Sequence, residues 1–176
     1  MEISKKLQRK VEVPIPIAMC VDWLNNAKRI EKLWFSESDL EDVKNLRKKF
    51  DSGENFEIEL NEIEETIVNC LKFYILSLPS SILGDVEQQK ESLEYFNEKI
   101  EEEEEKAFFL YNFICKLPDV NQKSIKKLAS HFHKHWQDHQ DSPHDHPDYI
   151  CSNIFGEKYL LLPKIVLFYP QICDLN

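Results

Sequence analysis

Apolar residues recur along most of this chain at intervals of three and four positions, which is the spacing of one face of an α-helix. The stripe is longest over residues 59–77, where it comprises Ile63, Ile67, Val68, Leu71, Tyr74 and Ile75. A second amphipathic segment spans residues 121–140, and its inward positions are Ile125, Leu128, Phe132 and Trp136. No segment shows the strict alternation of apolar and polar residues that is typical of a strand, so the sequence predicts an all-α fold.

Proline, glycine and short polar residues mark where these helices begin and end. The two-proline segment 11–17 is expected to be extended. A helix over residues 18–28 should follow it, with the core positions Met19, Val21, Trp23 and Leu24. Ser36 and Ser38 each precede an acidic residue by three positions, so either is a candidate N-cap for a helix that stops before Gly53.

The second half of the chain contains the sharpest contrasts in polarity. The acidic segment 85–106 keeps only a narrow apolar seam, so its glutamate run, residues 101–105, is predicted to be a solvated helix face or helix end. Residues 107–117 are apolar almost all round, which predicts a buried central helix. A short helix is expected over residues 149–155, and the apolar tail 161–176 is expected to be irregular because it contains two prolines.

Composition narrows the classes of protein. The 176 residues fit a single domain, which we assign to residues 1–176. Only three glycines occur, which argues against a phosphate-cradling loop or a dinucleotide site. The net charge of -10 argues against nucleic acid as a partner. The N-terminal segment 1–10 is basic, and its cluster of Lys5, Lys6, Arg9 and Lys10 would support at most a weak contact with anionic lipid.

The five cysteines are odd in number and widely spaced, a pattern typical of reduced thiols in a cytoplasmic protein rather than of a disulfide framework. No apolar run reaches the roughly 18 residues that a membrane-spanning helix needs. We therefore expect a cytoplasmic, monomeric protein that reaches a membrane only through its partner or through other domains.

Three blocks of sequence occur in a characteristic order. The first comprises VPIPIAMCVDWL, EKLWFSES and, at the end of the next helix, FDSGE; the second is LKFYILSLPSSIL; the third is YICSNIFGEKYLL. Together they resemble the Rho GTPase-activating (RhoGAP) domain over about residues 11–160. The resemblance implies a helical bundle that binds a Rho/Rac-type small GTPase in signal transduction and acts on GTP hydrolysis in trans, without being an enzyme on its own. It implies no cofactor of this chain, because GTP and Mg²⁺ belong to the partner GTPase.

The departures from the family pattern concern its polar residues. The resemblance places Phe35 at the position of the family's catalytic arginine and Lys32 at the glycine before it. Lys72 matches a family lysine that faces the GTPase. Leu76 and Ile150 replace a second basic residue and a GTPase-contacting asparagine. Because phenylalanine has no charge and no donor, any stimulation at that position would come from ordering the switch loops of the GTPase.

The predicted GTPase contacts are therefore Lys72, Trp34, Phe35 and Lys32. Trp34 and Phe35, side by side, either anchor an interface or fill the core. Arg29, six residues before Phe35, is a candidate substitute for the missing arginine. Its alternative role is that of a favourable charge at a helix C-terminus.

All six histidines fall within residues 131–146. His131, His135 and His139 are spaced at i, i+4 and i+8, so adjacent pairs could chelate zinc, nickel or copper. The alternative is a solvated, pH-sensitive helix face and loop, because neither His-Glu-x-x-His nor a paired-cysteine motif accompanies them.

These observations predict an atypical Rho GTPase-activating domain that modulates GTP hydrolysis. Two alternatives stay open. One is a catalytically inactive pseudo-GAP that binds or scaffolds the GTPase. The other is a helical domain with a histidine-rich metal site.

Overall fold

The computed structural model describes residues 13–26, 33–53, 58, 64–138 and 146–175. Across these ranges the secondary structure is helical, and the one β feature there is an isolated bridge between Ser81 and Gly84. The prediction of an all-α fold is confirmed.

Nine α-helices and two 3₁₀ turns make up the described part of the chain. The helices are α1 Ile15–Asn26, α2 Leu40–Asp51, α3 Glu64–Ser77, α4 Val86–Lys99, α5 Glu103–Cys115, α6 Asp119–Asp138, α7 Pro147–Phe155, α8 Leu162–Leu167 and α9 Tyr169–Asp174. The 3₁₀ turns are Leu33–Phe35 and Gly156–Tyr159.

One hydrophobic core joins these helices, and α3 lies at its centre. The stripe predicted for α3 is buried at the positions that the structure describes, apart from the half-buried Tyr74: Ile67, Val68, Leu71 and Ile75. α3 packs against α1 and α2, while α6 packs against α1 and α8. α3 also contacts α7 and the Leu33–Phe35 turn, which in turn contacts α7. These three elements therefore meet at one surface of the molecule.

Local side chains set the beginning and end of α2. The Asp39 Oδ1 atom accepts a hydrogen bond from the Glu41 backbone N–H at 2.7 Å, so Asp39 is the N-cap. The expectation that Ser36 or Ser38 would cap this helix is wrong, because the carboxylate directly before the helix takes that role. The helix ends before Gly53, as predicted, and the φ angle of this glycine is 67°, a left-handed conformation that costs little without a Cβ atom.

The prediction that residues 107–117 form a central helix buried almost all round is also wrong. α5 buries Ala107, Leu110, Phe113 and Ile114, but the Phe108 side chain is 56% exposed. The reason is that α5 packs mainly along α9 on one side, so an apolar helix at the edge of the bundle keeps an open face. The glutamate run 101–105 is exposed and includes the first turn of α5, as predicted.

The tail after residue 160 is helical rather than irregular. Pro163 and Pro170 each lie in the first turn of a short helix, α8 and α9 respectively. A proline is tolerated there because its missing N–H would have no partner within the helix. α1 likewise begins at Ile15, three residues earlier than predicted, and includes Pro16 in its first turn. None of the described helices is both long and apolar enough to cross a membrane.

Candidate functional site

The segment 33–36 begins with the 3₁₀ turn Leu33–Phe35 and lies where α3 and α7 meet. Trp34 points into the protein and is only 2% exposed. Its ring contacts the rings of Phe132 and His131 in α6, with centroid distances of 4.7 and 5.6 Å. The indole therefore fixes one side of the segment to the core.

Two polar side chains of α3 hold the backbone of this segment. The Lys72 Nζ atom donates a hydrogen bond to the Trp34 carbonyl at 2.9 Å. The Asn69 Nδ2 atom donates to the Ser36 carbonyl at 3.1 Å and to the Glu65 carbonyl at 2.9 Å. Partial burial lowers the pKa of Lys72. The two bonds therefore clamp the backbone immediately before and after Phe35.

Phe35 faces the opposite way from Trp34. Its side chain is 42% exposed, and its ring lies against the ring of Tyr149 in α7 at a centroid distance of 5.5 Å. Tyr149 is exposed to the same extent. The clamped segment thus carries an aromatic pair on its solvent side.

The remaining positions that the resemblance singled out differ in exposure. Leu76, one turn after Lys72 on α3, is exposed and apolar. Ile150 is buried in α7, so its side chain is not part of the exposed surface around Phe35. The Lys158 Nζ atom donates to the carbonyls of Leu76 and Leu78, which satisfies the C-terminal end of α3.

The predicted GTPase contacts therefore differ in their exposure to solvent. Phe35 is exposed, and Lys72 is half-buried with one bond to the segment backbone. Trp34 is in the core, so its prediction as a surface contact is wrong and its alternative role in the core is the one observed. Lys32 and Arg29 lie outside the described residues.

The sequence analysis missed Asn69 and Tyr149. Asn69 interrupts the apolar stripe of α3 three residues before Lys72, and a polar residue at that spacing shares a helix face with it. Tyr149 directly precedes Ile150, the position that the resemblance assigns to the family's asparagine. The sequence contains both features, but the residues that Asn69 and Tyr149 contact are distant from them in the sequence.

The histidines of α6 are not the solvated helix face that the sequence suggested. His131, His133 and His135 are all buried. The His131 Nδ1 atom donates to the Asn25 Oδ1 atom at 2.6 Å, and the His133 Nδ1 atom donates to the Val166 carbonyl at 2.9 Å. Burial, with smaller contributions from the charges of His135 and Lys134, lowers the pKa of His131 to about 3. His131 is therefore neutral at physiological pH.

The predicted metal set is only partly described. His131 and His135 are within the described part of α6, whereas His139 lies outside it. Among the described residues, no group of three or more His, Cys, Asp and Glu side chains is arranged to hold a metal ion. The triad as a whole stays a prediction.

The geometry defines the class of protein. It is a helical domain in which α3 and α7 support the segment 33–36, and this segment presents Phe35 to solvent. The family model for the RhoGAP domain matches residues 14–144, which is more than half of the chain. The chain therefore belongs to the RhoGAP family, and this membership implies a GTPase-activating function toward a Rho-family small GTPase. No curated protein matches the chain significantly.

Proposed function

We propose that this domain binds a Rho/Rac-type small GTPase through the surface formed by Phe35, Lys72 and Tyr149, and that it modulates GTP hydrolysis without supplying an arginine. The observation that carries the proposal is the hydrogen bond from Lys72 to the Trp34 carbonyl. This bond, together with that of Asn69, holds the segment 33–36 with Phe35 exposed, and the resemblance assigns Phe35 to the family's finger position.

The chemistry of Phe35 limits what the domain can do to the reaction. An arginine finger stabilises the charge that develops on the transferred phosphoryl group and contributes about 10³–10⁵ in rate. A phenyl ring has neither charge nor donor, so that contribution is missing. What remains is the ordering of the GTPase's own switch loops, and we expect a correspondingly weak stimulation.

Arg47 does not replace the finger. It is the one arginine in the described part of the chain, and its Nε atom lies 3.6 Å from the Asp51 carboxylate on α2. It also lines a pocket beside Cys70 and Phe73, away from the contact of Phe35 with Tyr149. Arg29 stays a candidate substitute.

The exposed aromatic pair also supports the second candidate, a pseudo-GAP that binds the GTPase without accelerating it. Aromatic side chains are prominent among residues that dominate protein–protein binding energy. A rigidly supported Phe35 and Tyr149 would therefore retain affinity after the loss of catalytic charge. In both cases the nucleotide and Mg²⁺ belong to the partner GTPase.

The test is single-turnover GTP hydrolysis by several Rho/Rac-type GTPases with saturating domain, alongside a direct binding assay. We expect binding with weak stimulation for the natural chain and at least about tenfold faster hydrolysis with Phe35→Arg, because the clamp already positions residue 35. Phe35→Leu is the matched control and should give no gain. Binding by the natural chain with no stimulation would identify a pseudo-GAP.

Two results would count against the proposal. If Phe35→Arg binds the GTPase normally but leaves hydrolysis unchanged, residue 35 does not reach the nucleotide. If the natural chain stimulates strongly and Arg29→Ala abolishes that stimulation, the charge comes from Arg29. Absence of binding to every GTPase tested would leave the family's fold without its usual partner, and the histidine-rich metal site would then be tested by zinc-dependent thermal stabilisation.

A further inference from the structure

An open groove lies where the end of α4, the beginning of α5 and the residue after α9 come together, and its volume is about 670 Å³. Its floor consists of Ile100, which is buried, and Phe109, which is half-buried against the core. Its walls carry three exposed hydrophobic side chains: Tyr95, Phe108 and Leu175. The groove is therefore an apolar surface that is open to solvent.

Exposed hydrophobic side chains are concentrated in this groove. Ten large hydrophobic side chains are exposed in the described part of the chain, and three of them line it. The Tyr95 ring is 53% exposed and stacks on the Phe109 ring at a centroid distance of 5.5 Å, so its position is supported by the protein. Single exposed apolar residues are common on soluble proteins, whereas a contiguous group of them marks an interaction site.

The rim of the groove is acidic. Glu104 and Glu105 line the groove directly. Glu91 and Glu98 lie four residues before and three residues after Tyr95, so they share its face of α4. Residues 91–105 contain eight glutamates and one lysine, and in the described ranges no ion pair joins the glutamates 101–105 to a basic side chain. The negative charge around the groove is therefore available to a partner.

Helix stability explains only part of this charge. Glu103, Glu104 and Glu105 lie in the first turn of α5, where negative side chains favour the helix dipole. Glu98 lies in the last turn of α4, where a negative charge opposes the dipole of that helix. The acidic side chains around Tyr95 therefore need another role.

We propose that this acidic groove, formed by α4, α5 and Leu175, is the docking site for a basic amphipathic helix of a partner protein. The apolar face of such a helix would fill the space between Tyr95 and Phe108, and its lysine and arginine side chains would pair with the glutamate rim. The groove shares no helix with the proposed GTPase surface on the segment 33–36, α3 and α7. The partner is therefore a second protein that the domain can bind together with the GTPase.

Charge and backbone structure disfavour the other occupants. Nucleic acids and anionic membranes carry the same sign of charge as the rim, and a second copy of this face would place like charges opposite one another. The walls of the groove are helices, so an extended peptide finds no strand edge with which to pair.

The test begins with a random library of peptides of about 16 residues, about four helical turns, displayed on phage and selected on the full chain. The expected result is enrichment of peptides that contain lysine or arginine and that space their apolar residues three and four positions apart. No enrichment, or enrichment of acidic or uncharged peptides alone, would overturn the proposal.

Fluorescence anisotropy then compares the affinities of the enriched basic peptides for variants of the chain. Tyr95→Ser should weaken binding at least about tenfold, because aromatic anchors dominate binding energy. Phe73→Ser is the matched control, since the Phe73 ring is 50% exposed but lies on α3. If every enriched peptide binds the Tyr95→Ser chain as tightly as the natural chain, the groove is not a docking site.

Paired charge variants separate the rim from the overall charge of the chain. Glu104→Gln with Glu105→Gln removes two charges from the rim, whereas Glu41→Gln with Asp42→Asn removes two from the first turn of α2. Only the rim pair should weaken binding, by about threefold or more. The difference should shrink between about 0.1 M and about 1 M salt, as the Debye length falls from about 10 to about 3 Å. Equal effects of the two pairs would indicate general attraction to an acidic chain and would refute the site.

The basic segment 1–10 of the same chain is the competing occupant, and it lies outside the described residues. Replacing its four basic residues with serine, at Lys5, Lys6, Arg9 and Lys10, should leave the affinity for the peptides unchanged. A gain of about tenfold or more would show that this segment covers the groove. That result would replace the partner protein with an intramolecular contact and would overturn the proposal.

Discussion

Trp34 and Phe35 are adjacent aromatic residues that belong to two different regions. The inner side of the segment 33–36 consists of Trp34 packed on Phe132 and His131. The outer side consists of Phe35 packed on Tyr149 in solvent. Packing in the core fixes the inner side, whereas the outer side is exposed to solvent and accessible to a partner.

The boundary between the two sides is the backbone that Lys72 and Asn69 hold. These bonds would hold any residue at position 35 in the same place, because they are made to the carbonyls of Trp34 and Ser36. The comparison teaches that the backbone around position 35 is held independently of the side chain at that position. Substitutions on each side should therefore affect different measurements.

The largest loss of stability is expected on the inner side. Trp34→Ala removes a buried indole and leaves a cavity beside Phe132, which we predict costs about 3–5 kcal/mol in the free energy of unfolding. Denaturant-induced unfolding of the natural and substituted chains measures the difference. A cost below about 1 kcal/mol would mean that the indole does not fill the core and would remove the distinction between the two sides.

The inner side also shows how far the sequence could predict the fold. The stripe of α3 was predicted because Ile67, Leu71 and Ile75 follow the helical period, which is a local property. The exposure of Phe108 was not predicted, since the sequence of a helix does not reveal how many neighbours will cover it. The same limit explains the histidines, whose burial depends on the packing of α6 against α1 and α8.

The candidate site was predictable only in part for a similar reason. The family pattern predicted Phe35 and Lys72 as site residues from their positions in two sequence blocks. The opposite directions of Trp34 and Phe35 could not be predicted, because Trp34 packs on α6 and Phe35 on α7, and both helices are distant in the sequence. The contact between Phe35 and Tyr149 likewise joins separate blocks of sequence.

The second largest effect is a pH dependence that arises on the inner side. An unfolded histidine has a pKa near 6.5, whereas that of folded His131 is about 3. Between these values the unfolded chain binds a proton that the folded chain does not. The contribution is therefore fully present above about pH 6.5 and is lost as the pH falls toward 3, by about 2 kcal/mol at pH 5.

Unfolding measured from pH 7.5 to pH 4.5 checks this, with His131→Gln as the matched variant. The glutamine amide can still donate toward Asn25 but does not titrate in this range, so the variant should lose stability less steeply on acidification. Parallel pH profiles for the two chains would contradict the assignment of a depressed pKa to His131.

A smaller effect is expected at the boundary between the two sides. Lys72→Met keeps the aliphatic part of the side chain but removes the donor to the Trp34 carbonyl, which we predict costs about 1.5 kcal/mol. Lys72→Arg, which retains a donor, should cost less. If Met and Arg at this position give equal stability, the hydrogen bond does not support the segment.

The smallest change in stability is expected on the outer side. Phe35→Ser removes only a half-exposed ring and its contact with Tyr149, which we predict costs about 0.5 kcal/mol. If Phe35 anchors the GTPase, the same substitution should weaken binding at least about tenfold, because truncating an aromatic anchor costs more than about 1.4 kcal/mol. Titration calorimetry with the GTPase that the natural chain binds measures this affinity.

The control for this substitution is Phe108→Ser, which removes another exposed phenylalanine on α5, outside the proposed surface. Affinity should fall for Phe35→Ser alone. Equal affinities for the two variants would show that Phe35 is an ordinary exposed ring. A loss of stability at Phe35 comparable to that of Trp34→Ala would show that the outer side is part of the core, and the comparison between the two sides would fail.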